Sequence, residues 1–526
     1  MSRGSIFTLI TQDDISDRYF TAYDLLEDRM NKLRMTGVIP TTKHIETTHI
    51  LYTKSKYVPY VSIASDYVKV SPKGDHGKLG VSGKTIEFTL PNYGHFTSDI
   101  VLHIRFGAIG NKAAYLANAT PTAEVPLLRY CAYPGMRLFE TVEFRSDGFL
   151  IDTYTPEDII AYKNFFVSPN HKVGWGRCFG QDEINQASYN SKSFTGYINY
   201  SNGYQTPKLY HEEFNMFIPL NFWFCEDVSN ALINSSTTNS QRTIRINMSS
   251  MEKMVQALIY SEVDAVPPNV TQIGTEIVPL PITELSVTST LYVNNLYTYP
   301  LVYDIISSEL NFNMIRVHKN QITPLEARKS DILLSSLKYP AEYMCIGFRN
   351  KYNVHDFDRW YLMGSDYLDE DSNNINAVNV PAIIWNTEFS IRQLVTREAI
   401  QTTTLNSIIN SIGVTTNAGI IIYPEISYNF FNDYLPTRYS KNSAVISPYD
   451  NNMFLVTFCL YPGKFNPSGH YNLSTDRKMY INYTMNEYGD KIDNPNSGVG
   501  YEMVATMSAL NFLIRNGDSF QLKYSL

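Results

Sequence analysis

The sequence predicts an all-β chain: two consecutive eight-stranded jelly rolls, with an N-terminal extension and long inserted loops. Three observations predict this. Short extended runs of alternating or continuous apolar residues recur from about residue 44 to the C-terminus. No helical segment recurs between them, which argues against βαβ architecture. A proline-rich break at 266–282 divides the series into halves of about eight strands each, numbers that suit two packed sheets joined by long crossings. With 526 residues, the chain exceeds one ordinary core.

Residues 1–40 read as an appendage. In "SDRYFTAYDLLEDRMNKLRM", Tyr19, Tyr23, Leu26, Met30 and Leu33 fall on one face of a helix. Ser16 caps its start, and Gly37 with Pro40 stops it. These five residues form a candidate partner-contact arm.

The first jelly roll is expected over 41–265. "HILYTK", "KTIEFTL", "DIVLHIRF", "RLFETVEF", "FNMFIPLNFWF", "QRTIRINM" and "ALIYSEVDAV" have strand length and strand periodicity, punctuated by Pro, Gly and Asn. "VPPNVTQIGTEIVPLPI" (266–282) holds four prolines and little period, and reads as a linker. The second jelly roll is expected over 283–526. Its strands include "TELSVTSTLYVNNL", "NFNMIRVHKNQITPL", "EYMCIGFRN", "AIIWNTEFSIRQLV", "NMFLVTFCLYPG", "RKMYINYTM" and "YEMVATMSALNFLIRNG". Asn516-Gly517 before "SFQLKYSL" is a hairpin signal that ties the C-terminus into the sheet. The acidic, Asn-rich stretch 366–379 reads as an exposed inserted loop.

Composition excludes several functions. Charged residues make up 18% and the formal net charge is −8, with no basic block, so direct nucleic-acid binding is not expected. Tyr (39) and Phe (27) are abundant, which fits strands and large, partly wet interfaces. The five cysteines are scattered and include no CxxC, so neither a zinc ribbon nor a disulfide framework is indicated. The opening "MSRGSIFTLITQDDI" is neither a signal peptide nor a spanning helix, and Ser2 stands where myristoylation needs Gly.

Chemistry has little foothold. "PGKFNPSG" lacks the G-x-x-x-x-G-K-[ST] spacing, and Phe465 rather than Ser or Thr follows Lys464. Pro462-Gly463 fits a type II turn, and Asn466-Pro467-Ser468-Gly469 makes a second corner. His44 and His49 are spaced to opposite faces of a strand. Asp356 and Asp358 share a strand face but read as solvated, and 366–371 lacks the EF-hand order. Cys225 and Cys459 sit in aromatic runs and read as small apolar groups. Glu140 and Glu143 have odd spacing, so a regular strand faces them oppositely. No G-x-S-x-G occurs. The expectation is no catalytic, cofactor-binding or metal site, with Pro134, Gly135, Pro462, Gly463, Pro467 and Gly469 as structural turns.

Several blocks carry a resemblance. "YCAYPGMRLFETVEFRSDG" (130–148), "GYQTPKLYHEEFNMFIPLNFWF" from 203, "FCLYPGKFNPSGHYNLS" and "SALNFLIRNGDSFQLKYSL" (508–526) stand in the family's order. So do "KYVPYVSIASDYVKVSP" and "LPNYGHF". The chain resembles the major capsid proteins of nucleocytoplasmic large DNA viruses, of the African swine fever virus type. That resemblance implies a double jelly roll that trimerises into a capsomer of pseudo-hexagonal outline. Such capsomers tile an icosahedral shell around an internal membrane. It further implies neighbouring capsomers, minor capsid proteins and penton proteins as partners, no direct nucleic acid, only indirect association with the internal membrane, and assembly in the host cytoplasm. The chain is shorter than that type between residues 107 and 130 and around 178–203, which implies trimmed loops. The competing reading is a carbohydrate-binding or glycan-hydrolysing β-sandwich, which shares the architecture.

Overall fold

The computed structural model describes residues 27–28, 31–37, 63–74, 77–182, 203–234, 241–263, 272–309, 312–325, 327–355, 409–416, 419–440, 453–473, 478–485, 501–516 and 519–524, together with 357, 360–361, 363 and 445. The chain divides into two compact units, Met1–Ile63 and Ala64–Leu526. In the first unit the described residues form helical turns that end at Gly37, whose φ of 78° is the left-handed conformation of a helix stop. Gly37 N donates to Arg34 O at 3.0 Å. Leu33 is half-buried there, whereas Tyr19, Tyr23, Leu26 and Met30 lie outside the described residues.

Among the described residues, sixteen strands form the main paths of four sheets, two sheets to each roll. In chain order the first eight are β1 (Ile63–Val70), β2 (Lys84–Thr89), β3 (Phe96–Phe106), β4 (Phe139–Ser146), β5 (Phe149–Tyr154), β6 (Phe214–Pro219), β7 (Arg242–Met248) and β8 (Leu285–Thr298). The next eight are β9 (Phe312–Pro324), β10 (Lys329–Leu333), β11 (Pro340–Asn350), β12 (Ile409–Thr416), β13 (Ile421–Ser427), β14 (Met453–Thr457), β15 (Met479–Met485) and β16 (Tyr501–Asn516).

The first set pairs as β1-β8-β3-β6 and β2-β7-β4-β5. The second pairs as β9-β16-β11-β14 and β10-β15-β12-β13. The two orders are the same permutation repeated along the chain. In each half the last strand returns beside the first, the long crossing that defines a jelly roll. The fold is therefore a double jelly roll.

Alternation sets the faces. Along β3, Ile100, Leu102, Ile104 and Phe106 are fully buried while Val101, His103 and Arg105 face outward. Ile244 and Ile246 of β7 and Phe144 of β4 answer from the facing sheet. One continuous apolar cluster runs through both rolls.

Three expectations need correction. Residues 266–282 are not simply a linker: Gln272–Val278 is a strand, and Val263 pairs with Gln272 in a hairpin with Val255–Val263. The prolines, at 267, 268, 279 and 281, flank this strand rather than interrupt it. The segment Leu285–Thr298 does not open the second roll, because it pairs with β3, Val287 opposite Phe106. The aromatic run from Phe214 leaves its strand at Pro219 and becomes helical at Trp223–Glu226. There Phe222, Trp223 and Phe224 pack edge-on and tilted around Phe144.

Candidate functional site: the seam between the rolls

The covering element on the first roll is β5 with the helix Pro156–Phe165 that follows it. Thr155 and Asp158 build a capping box: Thr155 N donates to Asp158 Oδ2 at 2.9 Å. Pro156 at the first helical position is pre-set for this start. The expected series of strands does not include this helix. Thr-Pro-Glu-Asp was the local signal for it.

This element lies across the outward residues of the second roll's β9-β16-β11-β14 sheet. His318 of β9 donates twice to Asp152, from its backbone N at 2.9 Å and from Nδ1 at 3.0 Å. Asn320 Nδ2 donates to Thr155 Oγ1 at 2.8 Å and to Asp158 Oδ2 at 3.1 Å. Arg349 of β11 bridges Glu157 at 3.1 Å and Glu502 of β16 at 2.6 Å. The Phe166 ring meets Tyr343 at 5.3 Å. Burial pushes the His318 imidazole down, but the Asp152 carboxylate, by charge and hydrogen bond, outweighs it and raises the pKa to about 9. Burial pushes the Asp158 carboxyl up.

A second contact joins the rolls through the "YCAYPGMR" block. Pro134 and Gly135, expected as a structural turn, are buried within the short helix Pro134–Arg137. The strained residue is Tyr133, at φ 44°. Gly135 sits in a crowded place: a Cβ there would stand 3.0 Å from Ile218 Cδ1 and 3.1 Å from Phe179 Cα, closer than ordinary van der Waals contact. The segment after β11 docks on this block. Trp360 Nε1 donates to Ala132 O at 2.6 Å, and Ala132 N to Phe357 O at 2.8 Å. Arg137 sits over the rings of Phe357 and Trp360, at 4.9 and 5.5 Å. Lys163 lies 4.3 Å from the Tyr133 ring centroid and 4.4 Å from that of Tyr361.

The "YPGKFNPSG" loop is tied to the same face. Gly463 has φ 76°, and Lys464 N donates to Tyr461 O at 3.4 Å, the pattern of a type II turn. Gly469, at φ 133°, turns the second corner after Pro467, where Tyr461 N donates to Ser468 Oγ at 2.7 Å. Between this loop and β15 the chain forms one more short strand, Tyr471–Asn472, paired to Ala341 and Pro340. Arg316 of β9 donates to the carbonyls of Lys464 and Phe465 while holding Glu342 through Nε at 2.6 Å and Nη2 at 3.2 Å. Lys464 itself lies over the Tyr461 ring at 5.0 Å. Its backbone carbonyl, not its ammonium, is what the fold uses.

The remaining candidate residues do not converge. Glu140 pairs with Lys253 and Glu143 with Arg145, at 3.3 and 2.8 Å. A bulge at Asn247/Met248 falls opposite Glu140. The five cysteines are free thiols. Burial pushes the Cys225, Cys345 and Cys459 thiols up, away from nucleophilic use. Asn234, a sequon residue, is fully buried and accepts from Arg242 Nη1 at 2.6 Å. His44, His49, Asp356, Asp358 and the 366–379 stretch lie outside the described residues. Among the described residues, no three His, Cys, Asp or Glu side chains group as metal ligands.

No protein-family model matches the chain. It is 25% identical to the hexon protein p72 of African swine fever virus, and 26% identical to a major capsid protein from another isolate of that virus. Both alignments cover 100% of this chain and 100% of the relative. Among solved structures, the Faustovirus major capsid protein matches with a TM-score of 0.65 at 23% identity, over 96% of this chain and 100% of that one. PBCV-1 VP54 matches with a TM-score of 0.58 at 14% identity, over 90% and 99%. These relatives are structural capsid proteins rather than enzymes. Strand order and full-length likeness together show a double jelly-roll fold and a chain similar throughout to the major capsid proteins of African swine fever virus.

Proposed function

We propose that this chain is a structural shell subunit: three copies form a pseudo-hexagonal capsomer, and capsomers tile an icosahedral virus capsid. The repeated strand permutation carries the reading. Two rolls of one topology in a single chain give six similar corners from three chains. Shell proteins act through area, shape and closure, which needs no activated side chain. The first roll runs to Thr298 and the second begins at Phe312. The carbohydrate-binding alternative is not favoured, since the full-length relatives are capsid proteins. The subunit acts in the virion capsid after assembly in the host cytoplasm, with neighbouring capsomers, minor capsid proteins and penton proteins as partners. It makes no direct nucleic-acid contact, and any link to an internal viral membrane is indirect. The N-terminal arm, through Tyr19, Tyr23, Leu26, Met30 and Leu33, docks the minor proteins.

Light scattering and negative-stain imaging of the purified chain test this. The expected result is a three-chain particle with threefold symmetry and a six-cornered outline. A single chain at micromolar concentration overturns it. Removing residues 1–35 is expected to spare the three-chain particle and weaken docking of minor proteins. Normal incorporation of that deletion into full shells removes the arm's role.

A further inference from the structure

Arg242 opens β7 at one end of the first roll, opposite Ser146 at the end of β4. Asn295 of β8 comes from the facing sheet, opposite Thr97 near the start of β3. A hydrogen-bonded cluster joins the two sheets there. Arg242 Nη1 donates to Asn234 Oδ1 at 2.6 Å. Thr97 Oγ1 donates to that same oxygen at 3.0 Å and lies 3.5 Å from Asn295 Oδ1. Arg242 Nη2 donates to Asn92 Oδ1 and, at 3.5 Å, to Pro91 O. Asn234 is fixed in turn, with Nδ2 donating to Tyr93 O at 2.7 Å and its backbone N to His95 O at 2.8 Å. Arg242, Asn234, Thr97 and Asn295 are all fully buried.

Every partner of Arg242 in this cluster is neutral. At the seam, the buried Arg316 holds the Glu342 carboxylate, and the buried Arg349 holds those of Glu157 and Glu502. Among the described residues, no carboxylate pairs with Arg242. Burial lowers its pKa to about 10, which leaves it a cation at neutral pH. A buried cation with only neutral partners is costly. Two donors of the cluster also have no acceptor among the described residues, Arg242 Nε and Asn295 Nδ2. Each comes from a different sheet. A water accepts from an N–H but brings no charge. A small anion supplies both the acceptor and the missing counter-charge.

We propose that this end of the first roll is a site for one small monovalent anion, chloride or bromide, held by Arg242 Nε with Asn295 Nδ2 as the second donor. The full burial of both side chains selects a monatomic ion over a bulkier oxyanion. The ion neutralises the guanidinium and ties β7 to β8 across the gap between the sheets. Because it binds the folded chain and not the unfolded one, stability depends on halide concentration.

Thermal unfolding at constant ionic strength tests this, with sodium chloride exchanged for sodium gluconate, whose anion is too large for a closed interior. In the unmodified chain, a roughly hundredfold excess of chloride over its dissociation constant is expected to raise the midpoint by about 2 °C. Arg242→Met removes the charge, and Asn295→Asp supplies a carboxylate inside the cluster. Both variants are expected to lose the chloride-specific rise. If the unmodified chain responds to the exchange no more than the variants do, the effect is a general one of salt and the site falls. Should the variants misfold, the unmodified chain decides. Crystals grown in sodium bromide are expected to show bromine anomalous scattering beside Arg242 Nε. A density there without that signal is water only, which overturns the proposal. The readout is the fold of one chain, so either result leaves the capsomer reading as it stands.

Discussion

Asp152 of the first jelly roll accepts two hydrogen bonds from one residue of the second, from His318 N at 2.9 Å and His318 Nδ1 at 3.0 Å. The Asp152 side chain is fully buried and that of His318 is 23% exposed, so the pair is only partly screened. The seam is thus a charged contact as well as a shape fit.

The His318 pKa, raised to about 9 from 6.5, fixes the sign of its pH dependence. A histidine that binds its proton more tightly when folded adds stability that is complete below 6.5 and is lost as pH rises through 9. The full effect is on the order of 2–3 kcal/mol. Thermal unfolding from pH 6 to about 10 is expected to show a falling midpoint on the alkaline side. His318→Gln is expected to flatten that limb. An unchanged slope in the variant removes His318 as its source.

His211 has the opposite sign. It is buried, its Nε2 donates to Leu128 O at 2.7 Å, and burial lowers its pKa to about 4. The unfolded chain binds this proton and the folded chain does not. Its contribution is therefore present above 6.5 and is lost as pH falls toward 4. The loss is up to about 3 kcal/mol. His211→Gln, which keeps a donor, is expected to be less stable at neutral pH but less sensitive between pH 6.5 and 4. An acid limb as steep as in the unmodified chain assigns the loss to other groups.

The strands were legible where one face is buried. "DIVLHIRF" and "QRTIRINM" alternate because Leu102 and Ile244 face the core while His103 and Arg245 do not. What the sequence hid was sheet membership. Leu285–Thr298 looks like the first strand after a break, yet it returns beside Phe96–Phe106, far back in the chain. Periodicity gives a strand its faces and says nothing of its neighbour. The seam was also hidden: Asp152, His318 and Arg349 stand in separate strand runs, and only the fold joins them. Gly463 could be read locally, because a turn's demand on a glycine is local.

The Arg316–Glu342 pair is nearly dry, with side-chain exposures of 8% and 0%. Deleting one partner leaves the other charge buried. Arg316→Ala is therefore expected to cost about 3–5 kcal/mol, whereas replacing both residues with methionine costs much less. Arg316 also holds the carbonyls of Lys464 and Phe465, so both variants are expected to loosen the 458–470 loop. Chemical denaturation gives the first quantity and limited proteolysis the second. If the single and double variants are equally unstable, the buried charge is not the cause. If the loop resists protease in both, Arg316 is not its anchor.

Gly463 tests whether that loop is held by its turn or only by its anchor. Its φ of 76° is open to glycine and strained for a β-branched residue. Gly463→Val is expected to cost about 1 kcal/mol or more in unfolding free energy. Gly463→Asn, which tolerates left-handed backbone, is expected to cost less. The effect is distinguishable from loss of the Arg316 anchor, because Arg316 meets backbone carbonyls that either substitution retains. Gly463→Val is expected to shift the unfolding midpoint without leaving a buried charge, and because Arg316 bonds the adjacent Lys464 carbonyl, combining it with the Arg316/Glu342 double methionine variant is expected to cost less than the sum of the two losses. A valine variant as stable as the glycine protein shows that the turn relaxes to another conformation. A loss equal to the sum shows that the turn and the anchor act independently.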